Sequence, residues 1–127
     1  MATGLLPEEM LKPMMLEVLL RIDRYCRNNG LRYSIAFGTL IGAVRHKGFI
    51  PWDDDIDVWM PRPDYDRFIR NFDDGEFKVL SAYNTDGYPV EYAKVHNSRT
   101  IMYEAGVKCV WGIGVDVFAV APSWHRR

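Results

Sequence analysis

The chain has 127 residues, with 16 basic and 17 acidic side chains and a formal net charge of −1. That length fits one domain with a buried core, and the near-zero charge argues against a nucleic-acid coat or a polybasic membrane anchor. No apolar run reaches the ~20 residues of a membrane span, and the N-terminus lacks a signal-peptide pattern. Two cysteines, Cys26 and Cys109, are too few for a disulfide scaffold and lack metal-pair spacing; buried free thiols in a reducing cytoplasm are the expectation for both.

Residues 5–29 read as a helical region. Met15, Leu19, Ile22 and Cys26 recur at helical spacing, and Leu16 and Leu20 widen the stripe. Pro13 suits the first turn of the main helix, and Asn28-Asn29-Gly30 is a stop signal. Leu31–Phe37 reads as a strand delivering the chain to Gly38-Thr39, which opens a short helix over Leu40–His46. A strand–glycine–helix junction leaves backbone N–H groups pointing outward, so Gly38 and Thr39 are candidate phosphate-binding residues.

The next stretch is acidic. Asp53, Asp54, Asp55 and Asp57 fall within five positions, an electrostatic cost unless a cation or solvent offsets it. Ile56, Val58 and Met60 alternate with Asp55, Asp57 and Trp59, which predicts a strand over Asp55–Met60. On that strand Asp55 and Asp57 share one face and can converge on a hard cation. Pro61 ends the strand, and Pro63–Phe72 reads as a helix with Tyr65, Phe68, Ile69 and Phe72 on its core face. Asp73-Asp74-Gly75 stops it.

The second half is strand-rich. Phe77–Ala82 is one predicted strand. Val90–Val95 and Thr100–Tyr103 read as a meander joined at Asn97-Ser98, with a loop around Gly106. Within Gly112–Val120, Asp116 is a single carboxylate in an apolar strand pattern. Such a group needs a partner or a metal, which makes Asp116 the third candidate ligand beside Asp55 and Asp57. The predicted architecture is α/β (α+β), a small mixed sheet with helices packed mainly on one face and the acidic site at its edge.

With these residues in place, the pattern resembles the nucleotidyltransferase superfamily. GTLIGAVRHKGFIPWDDDIDVWMPRPDYDRF, and more loosely Tyr92–Val95 and Gly114–Phe118, resemble the LicD family of phosphocholine transferases, related to fukutin and fukutin-related protein. Thr39 stands where the superfamily usually has Ser and keeps the hydroxyl. Members of the family are typically longer, so residues 1–127 are expected to be a single nucleotidyltransferase-fold domain, either minimal or lacking a C-terminal portion.

The resemblance implies a metal-dependent phosphotransferase that moves phosphocholine, or a related phospho-alcohol, from a CDP-choline-like donor to a hydroxyl of a cell-surface glycan. Asp55, Asp57 and Asp116 would hold Mg2+ or Mn2+, and Asp116 would orient or deprotonate the acceptor. Gly38, Thr39, Arg45, Lys47 and Lys94 would bind the donor phosphates. His46 and His96 are expected to be structural or surface residues, and Trp52 either packs or stacks on a base or choline head group. Nucleotide transfer from an NTP, a glycosyltransferase with an Asp-x-Asp metal site and a non-catalytic nucleotide-binding module are the alternatives.

Overall fold

A computed structural model describes residues 8–36, 56–104 and 106–121. A 3-10 turn at Glu8–Met10 leads into α1, Leu11–Asn29. Gly30 closes that helix at φ 68°, a left-handed conformation glycine adopts without steric cost, and its N–H donates to the Cys26 carbonyl. The buried stripe of α1 is Met15, Val18, Ile22 and Cys26. Val18 takes a core place that the sequence pattern did not assign, and Leu16 and Leu20 are exposed rather than part of the stripe.

After α1 come β1 (Ser34–Ala36), β2 (Asp57–Pro61) and α2 (Arg62–Asn71), with Pro63 in the first turn of α2. Tyr65, Phe68, Ile69 and Phe72 are buried, as the spacing predicts. Asp73 and Asp74 do more than stop the helix. They form a short strand, β3, paired with β4 (Phe77–Leu80) across a turn with Gly75 at φ 63°. Arg21 and Arg24 of α1 reach the Asp74 carboxylate at 3.3 and 3.1 Å, and the Arg21 guanidinium lies over the Phe77 ring, fastening this hairpin to the helix.

The remaining strands are β5 (Ala93–Asn97), β6 (Tyr103–Glu104), β7 (Val107–Lys108) and β8 (Gly114–Val120). Among the described residues they form a mixed six-stranded sheet of order β1-β2-β8-β5-β4-β3 and a separate β6-β7 ribbon. The predicted meander is therefore corrected: β5 pairs with β4 and β8, not with the strand that follows it. Asn97 explains the departure. Its side-chain oxygen accepts from the Arg99 N–H and its carbonyl from the Thr100 N–H and hydroxyl, so the chain turns out of the sheet before the ribbon. β8 returns against β5 so closely that a β-carbon on Gly114 would run into the Val95 carbonyl oxygen. This close approach is a physical reason for glycine there.

The two described helices, α1 and α2, lie against one face of the sheet. Val58 and Met60 of β2, Val115 and Val117 of β8, and Ala93 and Val95 of β5 join Met15, Val18, Ile22, Tyr65 and Phe68 in a single buried cluster. By strand alternation, Asp57, Trp59, Lys94, Asp116 and Phe118 face the other way. The sheet thus separates a dry core from a face rich in polar and aromatic groups.

Candidate functional site

The site is assembled by register. β2 and β8 are parallel neighbours, and Asp57 is opposite Asp116, so their Cα atoms sit about one strand spacing, ~4.8 Å, apart. Lys94 of β5 is opposite Asp116 on its other side. The two carboxylates lie on adjacent interior strands, which corrects the expectation of a site at the sheet's edge.

Lys94 Nζ stands 2.5 Å from Oδ1 of Asp116, with both side chains largely shielded from solvent. The contact is an ion pair without the angles of a hydrogen bond, so the carboxylate is balanced in charge more than in direction. The same ammonium lies over the Trp111 ring, 4.9 Å from its centroid, a cation–π contact. Tyr88 meets Trp111 edge-on at 6.0 Å, and Tyr92 lies against Phe118 at 4.5 Å. Aromatic rings thus wall a carboxylate–ammonium centre on the face opposite the two described helices. Beyond Tyr92 and Phe118, a cleft of about 570 Å³ opens toward α2, where Arg62, Arg70 and Tyr83 also line it.

His96 is structural, as expected. It is buried, and its Nδ1 accepts the Gly112 N–H at 2.8 Å, so the proton belongs on Nε2. Burial first, and then the Lys94 charge, push its pKa down, keeping the ring neutral near pH 7. Cys26 is buried with its thiol pushed up to about 12, mainly by burial. Cys109 is in no disulfide and only partly buried, which corrects the expectation of burial for both thiols.

Of the predicted site residues, the structure brings together Asp57, Asp116 and Lys94. Gly38, Thr39, Arg45, Lys47 and Asp55 lie outside the described residues, as do Asp53, Asp54, His46, Trp52 and the predicted helix Leu40–His46. Among the described residues no group of three metal-ligating side chains is present. Two carboxylates at one register position on a polar sheet face do fit an all-oxygen site for a hard divalent ion. Sequence reasoning missed Tyr88 and Trp111. Each lies in an irregular connection, where no periodicity marks a side chain's direction; the nearest signal was an aromatic beside glycine in Gly87-Tyr88 and Trp111-Gly112.

A mixed sheet that sets carboxylates on neighbouring central strands, with a cation beside them, is a frame suited to handling phosphate esters. Residues 30–123 match the family model described as LicD/FKTN/FKRP, nucleotidyltransferase domain. The chain belongs to that family. It is 41% identical over 94 residues to the lipopolysaccharide cholinephosphotransferase LicD of Haemophilus influenzae, covering 71% of this chain and 36% of that protein. It is also 36% identical over 69 residues to an uncharacterised protein of Rickettsia prowazekii, covering 54% of this chain and 23% of that protein. The chain therefore spans about a third or less of the length of these relatives. No helix among the described residues is long and apolar enough to cross a membrane.

Proposed function

We propose that this domain carries the phosphate-handling centre of a phosphotransferase that moves phosphocholine, or a related phospho-alcohol, from a CDP-linked donor to a glycan hydroxyl. The observation that carries the reading is the Asp57–Asp116 register on adjacent parallel strands, with Lys94 facing Asp116. Its chemical identity rests on the likeness to the Haemophilus enzyme, whose name states cholinephosphotransferase activity on lipopolysaccharide. We place the reaction in the cytoplasm, consistent with two cysteines that form no disulfide.

Asp57, Asp116 and Asp55 would hold Mg2+ or Mn2+, which supplies charge neutralisation of the donor diphosphate. Asp116 accepts the proton of the acceptor hydroxyl. The acceptor oxygen then bonds to the phosphorus bearing choline, and the bond from that phosphorus to the oxygen bridging to the cytidylyl phosphate breaks, releasing CMP. Lys94, pivoting from Asp116, pairs with a phosphate oxygen. Gly38 and Thr39 receive the phosphates through N–H and hydroxyl donors, and Arg45 and Lys47 offset the charge on the leaving CMP.

The test is calorimetric titration with CDP-choline, CTP and a UDP-sugar, each with and without Mn2+. Metal-dependent binding that favours CDP-choline and is lost in Asp57→Asn is the expected result. Preference for CTP would move the assignment to nucleotidyl transfer, and preference for the UDP-sugar to glycosyl transfer. Silence from all three would remove the phosphotransfer reading for this domain.

A further inference from the structure

Tyr88 lies in the connection between β4 and β5, one residue after Gly87, whose φ of 74° turns the chain. The residue is 9% exposed, and its hydroxyl is buried without a hydrogen-bond partner among the described residues. Buried phenolic hydroxyls ordinarily find partners, because water is no longer there to serve. This one is orphaned beside the site. The Tyr88 ring meets Trp111 at 6.0 Å, Trp111 carries the Lys94 ammonium on its face, and Lys94 contacts Asp116.

We propose that Tyr88 is a binding residue of this site, its hydroxyl donating to a non-bridging oxygen of a phosphate or diphosphate ligand seated beside Lys94 and Asp116. The inference rests on the phosphotransfer reading above and adds to it a donor that no motif contains. A phosphate oxygen is the acceptor that fits, because the same small region offers an ammonium to balance its charge and an aromatic wall to exclude water. Asp116 is near enough for its charge to help raise the Tyr88 pKa after burial, with Tyr92 and Tyr65 contributing. Yet Lys94, not Tyr88, takes its carboxylate. The hydroxyl is left as a donor held in place for an incoming anion, at a folding cost offset by binding.

Tyr88→Phe tests this, since it deletes one oxygen and keeps the ring against Trp111. Inorganic pyrophosphate with Mn2+ is titrated into the wild-type and variant proteins, and cytidine serves as a ligand without phosphate. The expected result is an affinity for pyrophosphate weaker by about tenfold in Tyr88→Phe, with any cytidine binding unchanged. The unliganded variant should unfold at the same temperature as wild type or slightly higher, because an unsatisfied buried hydroxyl has been removed. Equal pyrophosphate affinity in the two proteins would overturn the inference and leave the phosphotransfer reading intact. A wild-type protein that binds no pyrophosphate with Mn2+ would overturn both.

Discussion

Asp64 and Asp116 are both shielded aspartates paired with a basic side chain, and they are held in opposite ways. Asp64, in the first turn of α2, accepts the Arg32 backbone N–H at 2.7 Å and the guanidinium at 2.9 and 3.3 Å. Its lone pairs are used, it sits where the helix dipole favours negative charge, and it ties the α1–β1 connection to α2. Among the described residues Asp116 has Lys94 as its charged partner and no well-formed hydrogen bond to Oδ1. A carboxylate saturated by the fold has little capacity for a ligand. One that is charge-balanced but directionally unsatisfied is available to a cation or a proton. Burial alone did not distinguish them; the geometry of their partners did.

The largest expected effect separates the two roles. Asp116→Asn, and likewise Asp57→Asn, should lower turnover of CDP-choline by about 10³-fold or more, on the order of 4 kcal/mol of transition-state stabilisation. Thermal unfolding should change little in Asp57→Asn and fall modestly in Asp116→Asn, where Lys94 loses its counter-charge. CMP release measured beside a melting curve checks both arms, and near-wild-type turnover in both variants would remove the carboxylate centre. Asp64→Ala should do the reverse. Leaving the part-buried Arg32 backbone N–H without its acceptor should cost about 1–2 kcal/mol of stability, seen in the denaturant midpoint, while water takes over the exposed guanidinium. Mn2+ affinity should be retained below the unfolding transition. An unchanged midpoint would mean that Asp64 is not the clamp its hydrogen bonds describe.

A smaller effect appears with pH. The Arg32 side chain, through its hydrogen bonds, holds the Asp64 pKa below its usual value of 3.8. A depressed folded-state pKa stabilises fully above the unfolded value and loses that contribution as pH falls toward the folded one. The stability difference between wild type and Asp64→Asn should therefore be constant from about pH 7 to 5 and shrink below about pH 4. Denaturant midpoints across that range measure it; a difference that grows on acidification would reverse the assignment.

These contrasts show which parts were legible in the sequence. The α2 core face was readable because Tyr65, Phe68, Ile69 and Phe72 recur with the helical period, and all four are buried. Asp57 stood out within a dense acidic cluster on one strand face, and Asp116 because it interrupts an apolar strand pattern, a conflict that marks either strain or a site. Their meeting was not readable. It depends on a parallel pairing between segments far apart in the chain, and nothing local encodes that register. The same limit hid the Arg32–Asp64 clamp, whose partners are 32 positions apart. It also produced the mistaken meander, since Val90–Val95 and Thr100–Tyr103 look like neighbours until the turn at Asn97 sends the chain away. In α1, Leu16, Leu20 and Val18 were separated by which residues the sheet covers, which composition does not specify.

The smallest expected effect probes the resident cation. Lys94→Met keeps much of the stem's apolar bulk while removing the ammonium that contacts Asp116 and Trp111. If Lys94 and a divalent ion compete for the same carboxylate, the variant should bind Mn2+ about fivefold more tightly, equivalent to roughly 1 kcal/mol for a partly shielded ion pair. The unliganded protein should be less stable by a similar amount, because Asp116 is left without its counter-charge. CDP-choline affinity measured at saturating Mn2+ should fall, since the lysine no longer meets a phosphate. Titration of Mn2+ alone, followed by CDP-choline, separates these arms. Tighter metal binding with weaker nucleotide binding would show that one lysine serves both states. Weaker Mn2+ binding in the variant would mean that Lys94 supports the acidic site rather than competing for it, and would place Asp116 closer to Asp64 in role.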